Sequence, residues 1–356
     1  MKLRVHPFYV LFICAFFPAV LWPCQTKKQF PGEQWQVVGC PEELGYSSTK
    51  LEKAKEYADS LNTAAVVIVV NGQVLYQWGD VEKKFNSHSM RKSVLSALYG
   101  KYVSNGAIDI DVTIEELGID DEPPLTDEEK KATIRDCLKA RSGIYHSALY
   151  ETPNMRALKP ERHSMKPGIH WYYNNWDFNV LGTIFEKLTG KKIFRAIKED
   201  IADHIQMENY KPEDGLYVSG EESIHPAYPF RITARDLARF GLLMLNKGNW
   251  NGKQIIRKDW VEESTAYYSD ATLYAQDGYG YMWWVTKHNN KFPHFRGVEL
   301  PEGSYSAKGA GGHYVLVIPV HDMVIVHRVN TDIKDNKIPW DKLGKMIHLV
   351  LEAKEE

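Results

Sequence analysis

Two pairs of strand-like runs, one near each end of the chain, constrain the fold most. The runs are apolar and rich in β-branched residues, and they cover 64–70, 73–78, 314–318 and 323–329. Asn71-Gly72 separates the first two runs, and Asn-Gly in such a place is the strongest short-range signal for a β-hairpin. Strands at both ends around a helix-rich middle predict an α+β fold, with an antiparallel sheet built from both chain ends and flanked by helices.

Most of the remaining chain has helical patterns. Helices are predicted at 47–62, 89–105, 126–138, 177–189, 233–247 and 340–353. The 89–105 helix is interpreted as amphipathic. We expect one domain over residues 46–354, with a large, mostly helical subdomain inserted at about 107–230. Residues 25–45 are interpreted as an unstructured leader.

The first 24 residues are typical of a secretion signal. Lys2 and Arg4 provide a charged start, and residues 7–22 are almost wholly apolar. This run is short for a membrane span, which needs about 20 residues, and fits a signal peptide better. We therefore expect a secreted or periplasmic protein with no integral span after signal removal. Lipidation at Cys24 is the alternative that stays open.

Composition and absent motifs exclude several classes of function. The 356 residues have a formal net charge of −2 and no charge run, so a nucleic-acid partner is not expected. The sequence contains no Cys-x-x-Cys, His-Glu-x-x-His or Gly-x-Ser-x-Gly, which argues against a structural zinc site, a zinc hydrolase and an α/β-hydrolase elbow. We expect neither a metal nor a cofactor. Cys40 and Cys137 are either a disulfide or two buried thiols.

A candidate nucleophile lies at Ser89-x-x-Lys92, at the start of a predicted helix. A serine and a lysine three residues apart share one helix face, so the amine can reach the hydroxyl. Serine needs a neighbouring base to become a nucleophile, and a lysine that has lost its proton can be that base. Ser47-x-x-Lys50 fits the same pattern, but it is interpreted as a helix start capped by Ser47 or Ser48.

Segments in sequence order resemble the motifs of serine β-lactamases and penicillin-recognising hydrolases. They are 89–98 around the serine, 141–144, the Tyr-x-Asn segment 171–176 with 181–182 after it, 233–241, and Ala-Lys-Gly-Ala-Gly-Gly at 307–312. The likeness runs from about residue 46 to 353 and implies a β-lactamase/transpeptidase-like fold. Tyr-x-Asn and the 278–284 segment are most similar to the branch of class C-like esterases and nylon-oligomer amide hydrolases.

The resemblance implies an acyl-enzyme mechanism with three catalytic residues. Ser89 would attack a carbonyl, and Lys92 would take its proton directly or through Tyr173. Tyr173 would then pass a proton to the leaving group, and either Lys92 or Tyr173 qualifies as the formal base. The family's spacing to Gly182 selects Tyr173, with Tyr172 as the fallback.

The resemblance also implies a substrate and oxyanion pocket. The residues expected there are Asn175, Gly309, Ala310, Tyr145 and Trp284. The backbone N–H groups of Ser89 and Ala310 would bind the oxyanion, and Gly309 would let its strand approach closely. Asn175 would hydrogen-bond Lys92 or the substrate amide. For Tyr145 and Trp284, a packing role fits equally well.

The third motif departs from the family pattern. Where β-lactamases and peptidoglycan carboxypeptidases have Lys or His, this chain has Ala307, and Lys308 would lie on the other face of a strand. The cation that helps to hold a substrate carboxylate is therefore missing or moved. We expect a serine hydrolase that acts on a small ester, amide or peptide. The alternatives are a D,D-peptidase or β-lactamase and, in another class, an inactive binding protein of this fold.

Overall fold

The structure, a computed structural model, describes residues 28–287 and 292–355. The helices are α1 (Ser48–Asp59), α2 (Met90–Ser104), α3 (Ile134–Leu138), α4 (Pro153–Leu158), α5 (Asn175–Thr189), α6 (Ile193–Ala196), α7 (Ala234–Leu245), α8 (Lys258–Ser264) and α9 (Trp340–Glu352). Within the described ranges, no helix is long and apolar enough to cross a bilayer. The proposed signal peptide at 1–24, with Cys24, lies outside these ranges.

The strands form one large sheet and two short hairpins. They are β1 (Thr63–Val70), β2 (Gln73–Gly79), β3 (Phe85–Asn86), β4 (Arg231–Ile232), β5 (Asn249–Trp250), β6 (Lys253–Gln254), β7 (Ser269–Asp270), β8 (Gly278–Tyr279), β9 (Trp284–Val285), β10 (Tyr305–Gly309), β11 (His313–Ile318) and β12 (Met323–Val329). The large sheet has the order β2-β1-β12-β11-β10-β9-β8-β7, and β3-β4 and β5-β6 pair separately.

The two chain ends meet in the large sheet. β1 turns into β2 through Asn71-Gly72, and both turn residues have the positive φ that a tight hairpin requires. On its other edge β1 pairs antiparallel with β12, so that Val67 lies opposite Val326. All pairings in this sheet are antiparallel. The predicted α+β fold, with a sheet built from both ends of the chain, is confirmed.

Both faces of the sheet are covered, which explains the unbroken apolar run in β1. Val67 and Val69 belong to the core shared with α2 and α7. Val66 and Ile68 belong to the core shared with α1 and α9. A strand buried on both faces needs apolar side chains at successive positions and loses the polar alternation of a half-exposed strand.

The helix that follows Ser89 is buried on nearly every side. Ser93 of α2 donates a hydrogen bond to the backbone oxygen of Met282 (2.7 Å), and Tyr99 donates to that of Leu181 (2.7 Å). The prediction that this helix is amphipathic is wrong, because α2 lies between the sheet and the helical insertion and has no solvent face of its own. A nucleophile at its start is therefore carried by a rigid element.

Residues 107–230 contain α3 to α6 and no strand of the large sheet. The helix predicted at 126–138 is only partly present. Thr126 and Glu129 form a reciprocal pair of capping hydrogen bonds, but a single 3₁₀ turn follows them. Ala132 then has extended backbone geometry, and α3 begins after a second cap at Thr133.

The segment predicted as an unstructured leader packs against the domain where it is described. The indole of Trp35 is 6% exposed and donates to the backbone oxygen of Arg235 (3.3 Å). A tryptophan buries a large apolar area, which offsets the entropy of ordering the chain around it. Cys40 is an exposed free thiol and Cys137 is a buried one, so the two do not form a disulfide.

Candidate active site

Ser89 lies at the N-terminal end of α2, in the turn that follows β3. A serine in this position usually accepts a hydrogen bond from the first turn of its own helix, and the Ser89 side chain does not. His88 before it has a left-handed backbone (φ 46°), and its ring is hydrogen-bonded to the hydroxyl of Thr331 (2.8 Å). The turn therefore presents Ser89 to a cleft instead of to the helix backbone.

Lys92 follows one helical turn later and is 1% exposed. Its Nζ donates to the Tyr173 hydroxyl (2.7 Å) and to Oδ1 of Asn175 (2.9 Å). Burial, and after it the positive charge of Arg91, holds the pKa of Lys92 well below its usual range. The amine is therefore suited to accept a proton.

Tyr173 connects the lysine to the serine. Its hydroxyl accepts the hydrogen bond from Lys92 and is also hydrogen-bonded to the Ser89 side chain. Burial raises the pKa of Tyr173 to about 12, against the opposing effects of the Ser89 hydrogen bond and the charge of Arg91. Tyr173 is thus a neutral phenol near neutral pH, and it can both donate and accept a proton between its two partners.

The neighbouring side chains explain why only one of the two adjacent tyrosines reaches Lys92. Tyr172, the fallback, donates its hydroxyl proton to the backbone oxygen of Met155 (2.8 Å) and does not face the lysine. Asn175, the first residue of α5, donates through Nδ2 to the backbone oxygen of Leu149 (3.1 Å). That bond turns Oδ1 of Asn175 toward Lys92.

β10 passes very close to the turn before Ser89 at Gly309. A Cβ on Gly309 would lie 2.9 Å from the backbone oxygen of Ser87 and 3.1 Å from Cβ of His88, so only glycine allows this approach. Ala310 follows and borders the cleft beside Ser89. Backbone groups of a helix N-terminus and of a strand end thus meet at one space, an arrangement suited to a developing negative charge.

The cleft has a volume of about 780 Å³. Its aromatic lining residues are Tyr150, Tyr173, Tyr274, Trp284 and Trp340, and its charged lining residues are Arg91, Arg296, Lys308 and Asp341. Trp284 stacks on Tyr173 with ring centroids 5.3 Å apart. Tyr145 does not line the cleft. It packs edge-on against Tyr172 (5.8 Å), since it lies behind the loop that carries the tyrosine motif.

Lys308 lies on the strand face opposite Ala307, as predicted, but it still reaches the cleft. Its ammonium lies 4.1 Å from the ring centroid of Phe295 and 5.1 Å from that of Trp340. It also donates to Oε1 of Gln276 (2.5 Å), a residue of the cleft wall. The lysine of the third motif is therefore moved and not missing, and burial holds its pKa well below the usual range, which disfavours the charged form.

Some cleft residues have no signal in the sequence. Tyr150, Tyr274, Arg296 and Trp340 come from loops, from a short 3₁₀ turn and from the start of α9, and no motif spacing marks them. Arg91 is different, because it stands inside the Ser-x-x-Lys motif and next to the candidate base. Its charge could have been noticed from the sequence.

The arrangement suits nucleophilic chemistry by side chains. A proton that leaves the Ser89 hydroxyl has a hydrogen-bonded path through Tyr173 to the amine of Lys92, and it can return along that path to a leaving group. In the part of the chain that the structure describes, no group of three or more His, Cys, Asp or Glu side chains is placed to hold a metal ion.

Comparisons with known proteins place this chain in a family. The family model described as Beta-lactamase matches residues 50–342. An uncharacterized protein of Alkalihalophilus pseudofirmus is 23% identical over 309 residues, which are 79% of this chain and 87% of that protein. A solved structure from Bacillus anthracis, named "Putative 6-aminohexanoate-dimer hydrolase", is 24% identical with a TM-score of 0.62, over 84% of this chain and 80% of that one.

A further solved structure is EstCE1, described as a hydrolase with promiscuous acyltransferase activity. It is 14% identical with a TM-score of 0.61, over 89% of this chain and 99% of that one. Both structural likenesses support the fold, and the family model covers the Ser-x-x-Lys helix, the tyrosine motif and β10. The resemblance seen in the sequence is therefore confirmed, and the chain belongs to the beta-lactamase family of serine hydrolases.

Proposed function

We propose that this protein hydrolyses a small ester or amide through an acyl-enzyme on Ser89. The Ser89 oxygen forms a bond to the substrate carbonyl carbon while its proton passes through Tyr173 to Lys92. The backbone N–H groups of Ser89 and Ala310 hold the oxyanion. Tyr173 returns the proton to the leaving group as its bond to the carbonyl carbon breaks. A water molecule then releases the acyl group along the same proton path.

The observation that carries the proposal is the hydrogen-bonded chain from Ser89 through Tyr173 to a lysine that is 1% exposed. A lysine in water keeps its proton and cannot act as a base at neutral pH. Lys92 is buried and has neutral hydrogen-bond partners, which favours the amine. The hydroxyl at the other end of the chain borders a cleft large enough for a small substrate.

The substrate class follows from the cleft and from the neighbours. The aromatic lining suits an apolar acyl or leaving group. The neighbour named as a 6-aminohexanoate-dimer hydrolase and the hydrolase EstCE1 support an amide or an ester for this chain as well.

The test is a panel of short-chain esters, linear amides, D-amino-acid peptides and nitrocefin. Intact mass is measured during turnover, followed by peptide mapping. We expect hydrolysis of at least one ester or amide and an acyl adduct on the peptide that contains Ser89. A fluorophosphonate probe should label the same residue. A chain that neither turns over any compound nor reacts with the probe would be an inactive binding protein.

A D,D-peptidase or β-lactamase activity is the second candidate, and the position of Lys308 favours it. Burial holds the pKa of Lys308 well below its usual range, but the carboxylate that β-lactams and D-Ala-D-Ala peptides carry would favour the charged amine and pair with it at the cleft wall. Rapid labelling by a fluorescent penicillin, weakened in Lys308→Met but not in Lys50→Met, would support this candidate over a neutral ester.

Export through residues 1–24 is part of the same proposal. The full chain and a chain without residues 2–24 are expressed and fractionated. We expect the full chain outside the cytoplasm and the shortened chain inside it. Equal distribution of the two chains would contradict export.

A further inference from the structure

Arg91 is a buried positive charge that has only neutral partners in the part of the chain that the structure describes. Its side chain is 3% exposed and lies at the cleft. The guanidinium donates long hydrogen bonds to the backbone oxygen of His88 (3.4 Å) and to Oδ1 of Asn179 (3.2 Å). Its Nε is buried without a partner. The rings of Tyr228 and Tyr150, at 5.0 and 5.8 Å, complete its surroundings.

Two other buried arginines, which lie away from the cleft, have more complete sets of partners than Arg91. Arg239 has a counter-ion, because Glu208 lies 3.0 Å away. Arg328 donates hydrogen bonds from all of its three nitrogens, four bonds in total. Arg91 has neither a counter-ion nor a full set of acceptors. Burying an unpaired charge is costly, so a role in packing alone does not account for it.

The charge of Arg91 acts on the proton path. Lys92 faces the hydroxyl of Tyr173 and the neutral amide of Asn175, and Arg91 is the adjacent residue on α2. A nearby positive charge disfavours the protonated amine and favours the phenolate. After burial, it is the second cause of the lowered pKa of Lys92, and it also lowers the pKa of Tyr173. The effect on Lys92 opposes a resting proton on the amine, and the effect on Tyr173 makes its hydroxyl a better proton donor.

We propose that Arg91 is a positioning charge, whose guanidinium keeps Lys92 neutral in the resting enzyme so that Lys92 can accept the Ser89 proton. The inference rests on the proposed function. The chain leaves the guanidinium unpaired because a neighbouring carboxylate would cancel this effect. Arg91 itself need not touch the substrate.

The test uses a fluorophosphonate probe, which needs no knowledge of the substrate. The Ser89 oxygen forms a bond to phosphorus, fluoride leaves, and the serine proton goes to the base. The second-order rate of labelling is measured from pH 5 to pH 10. It should rise with pH until Lys92 has lost its proton. In Arg91→Met this rise should move to higher pH by one unit or more. At pH below the rise, labelling should be about tenfold slower for each unit of that shift, and at high pH the two rates should be similar.

Two matched changes at Asn179 separate charge from shape. Asn179→Asp keeps the size of the side chain and places a carboxylate against Arg91, so it should move the rise in the same direction as Arg91→Met. Asn179→Leu removes the hydrogen bond without adding charge, so it should leave the rise in place. Arg91→Lys keeps the positive charge and should also stay close to the wild type.

The outcomes distinguish this inference from the proposed function. Labelling that is slower at every pH, with an unchanged rise in both Arg91→Met and Asn179→Asp, would overturn the positioning role and leave the Ser89 mechanism intact. Should Arg91→Met not fold, Asn179→Asp decides the question by itself. A wild-type chain that reacts at no pH would remove the proposed function, and this inference with it.

Discussion

Two turns of this chain have the same Ser-x-x-Lys pattern and opposite surroundings. Ser47 caps α1, since its hydroxyl accepts a hydrogen bond from the backbone of Lys50 (3.4 Å). The Lys50 side chain is exposed, and its ammonium donates to the backbone oxygen of Glu352 (3.1 Å). Here the serine caps the helix, and the lysine is an ordinary surface cation.

At the Ser89 turn, neither side chain has the local contacts that Ser47 and Lys50 have. Ser89 does not cap its helix, and Lys92 is enclosed by the tyrosine motif and α5. The comparison teaches that the spacing of a serine and a lysine sets only whether they can meet. Burial and the neighbouring charges decide whether the lysine can be a base.

Removal of the proposed nucleophile should have the largest effect. We expect Ser89→Ala to abolish hydrolysis of a chromogenic short-chain ester, because no other hydroxyl occupies its place at the end of the proton path. Ser47→Ala should keep full activity and lose about 1 kcal/mol of unfolding free energy through the lost cap. Steady-state rates and urea unfolding of both variants check this. Equal activity in the two variants would contradict the assignment of the nucleophile.

Replacement of Lys92, the proposed base, should have the next largest effect. Lys92→Met keeps a long side chain without the amine, and we expect kcat/KM to fall about a hundredfold or more. Lys50→Met should stay near the wild type, since the Lys50 ammonium is exposed and bonded only to a helix end. The readout is kcat/KM for the same ester, with circular dichroism as the check on folding. A Lys92→Met enzyme near wild-type rates would mean that another group takes the serine proton.

The adjacent residues Tyr172 and Tyr173 allow a matched pair of variants. The effect of Tyr173→Phe should be similar to that of Lys92→Met or smaller. We expect Tyr173→Phe to lower kcat/KM about a hundredfold, because its hydroxyl links Ser89 to Lys92. Tyr172→Phe loses the hydrogen bonds to Met155 and Tyr274 and should change the rate little. Proton inventories and pH–rate profiles of both variants provide the measurement. If the two variants lose equal activity, the proton path through Tyr173 is wrong.

Acid should destabilise the turn at His88 and Ser89 more than the turn at Ser47. Burial, followed by the charges of Arg328 and Arg91, lowers the pKa of His88 to about 4. In the unfolded chain a histidine titrates near 6.5, so the unfolded state binds this proton first as the pH falls. The stability from neutral His88 is complete above pH 6.5 and is lost progressively as the pH falls toward 4.

This loss is measurable as a difference between pH 7 and pH 5. It amounts to about 2 kcal/mol for one such histidine. Urea unfolding of His88→Gln should therefore show a weaker dependence on pH than the wild type. The exposed His348 on α9, near the Lys50 contact, is the control, and His348→Gln should follow the wild type. An unchanged dependence in His88→Gln would show that other groups are responsible.

The architecture could be predicted from the sequence, and most of the residues named for the candidate site lie together in the structure. β-branched runs around Asn71-Gly72 predicted the hairpin, and cap residues predicted α1, α5 and α7 within a few positions. These signals are local, because strand pleat, turn geometry and helix capping each involve residues a few positions apart. The same locality explains the error at 126–138, where two cap signals compete and the second one starts the helix.

The surroundings of the charged groups, by contrast, depend on tertiary packing. Lys308 leaves its strand on the face away from Ala307 and still borders the cleft, and Tyr145 packs behind the tyrosine motif instead of lining it. Lys92 differs from Lys50 through partners that are more than 80 positions away in the sequence. A pKa is set by the dielectric surroundings and charges within a few ångströms. Those surroundings exist only after distant segments have packed together, so spacing alone cannot give them.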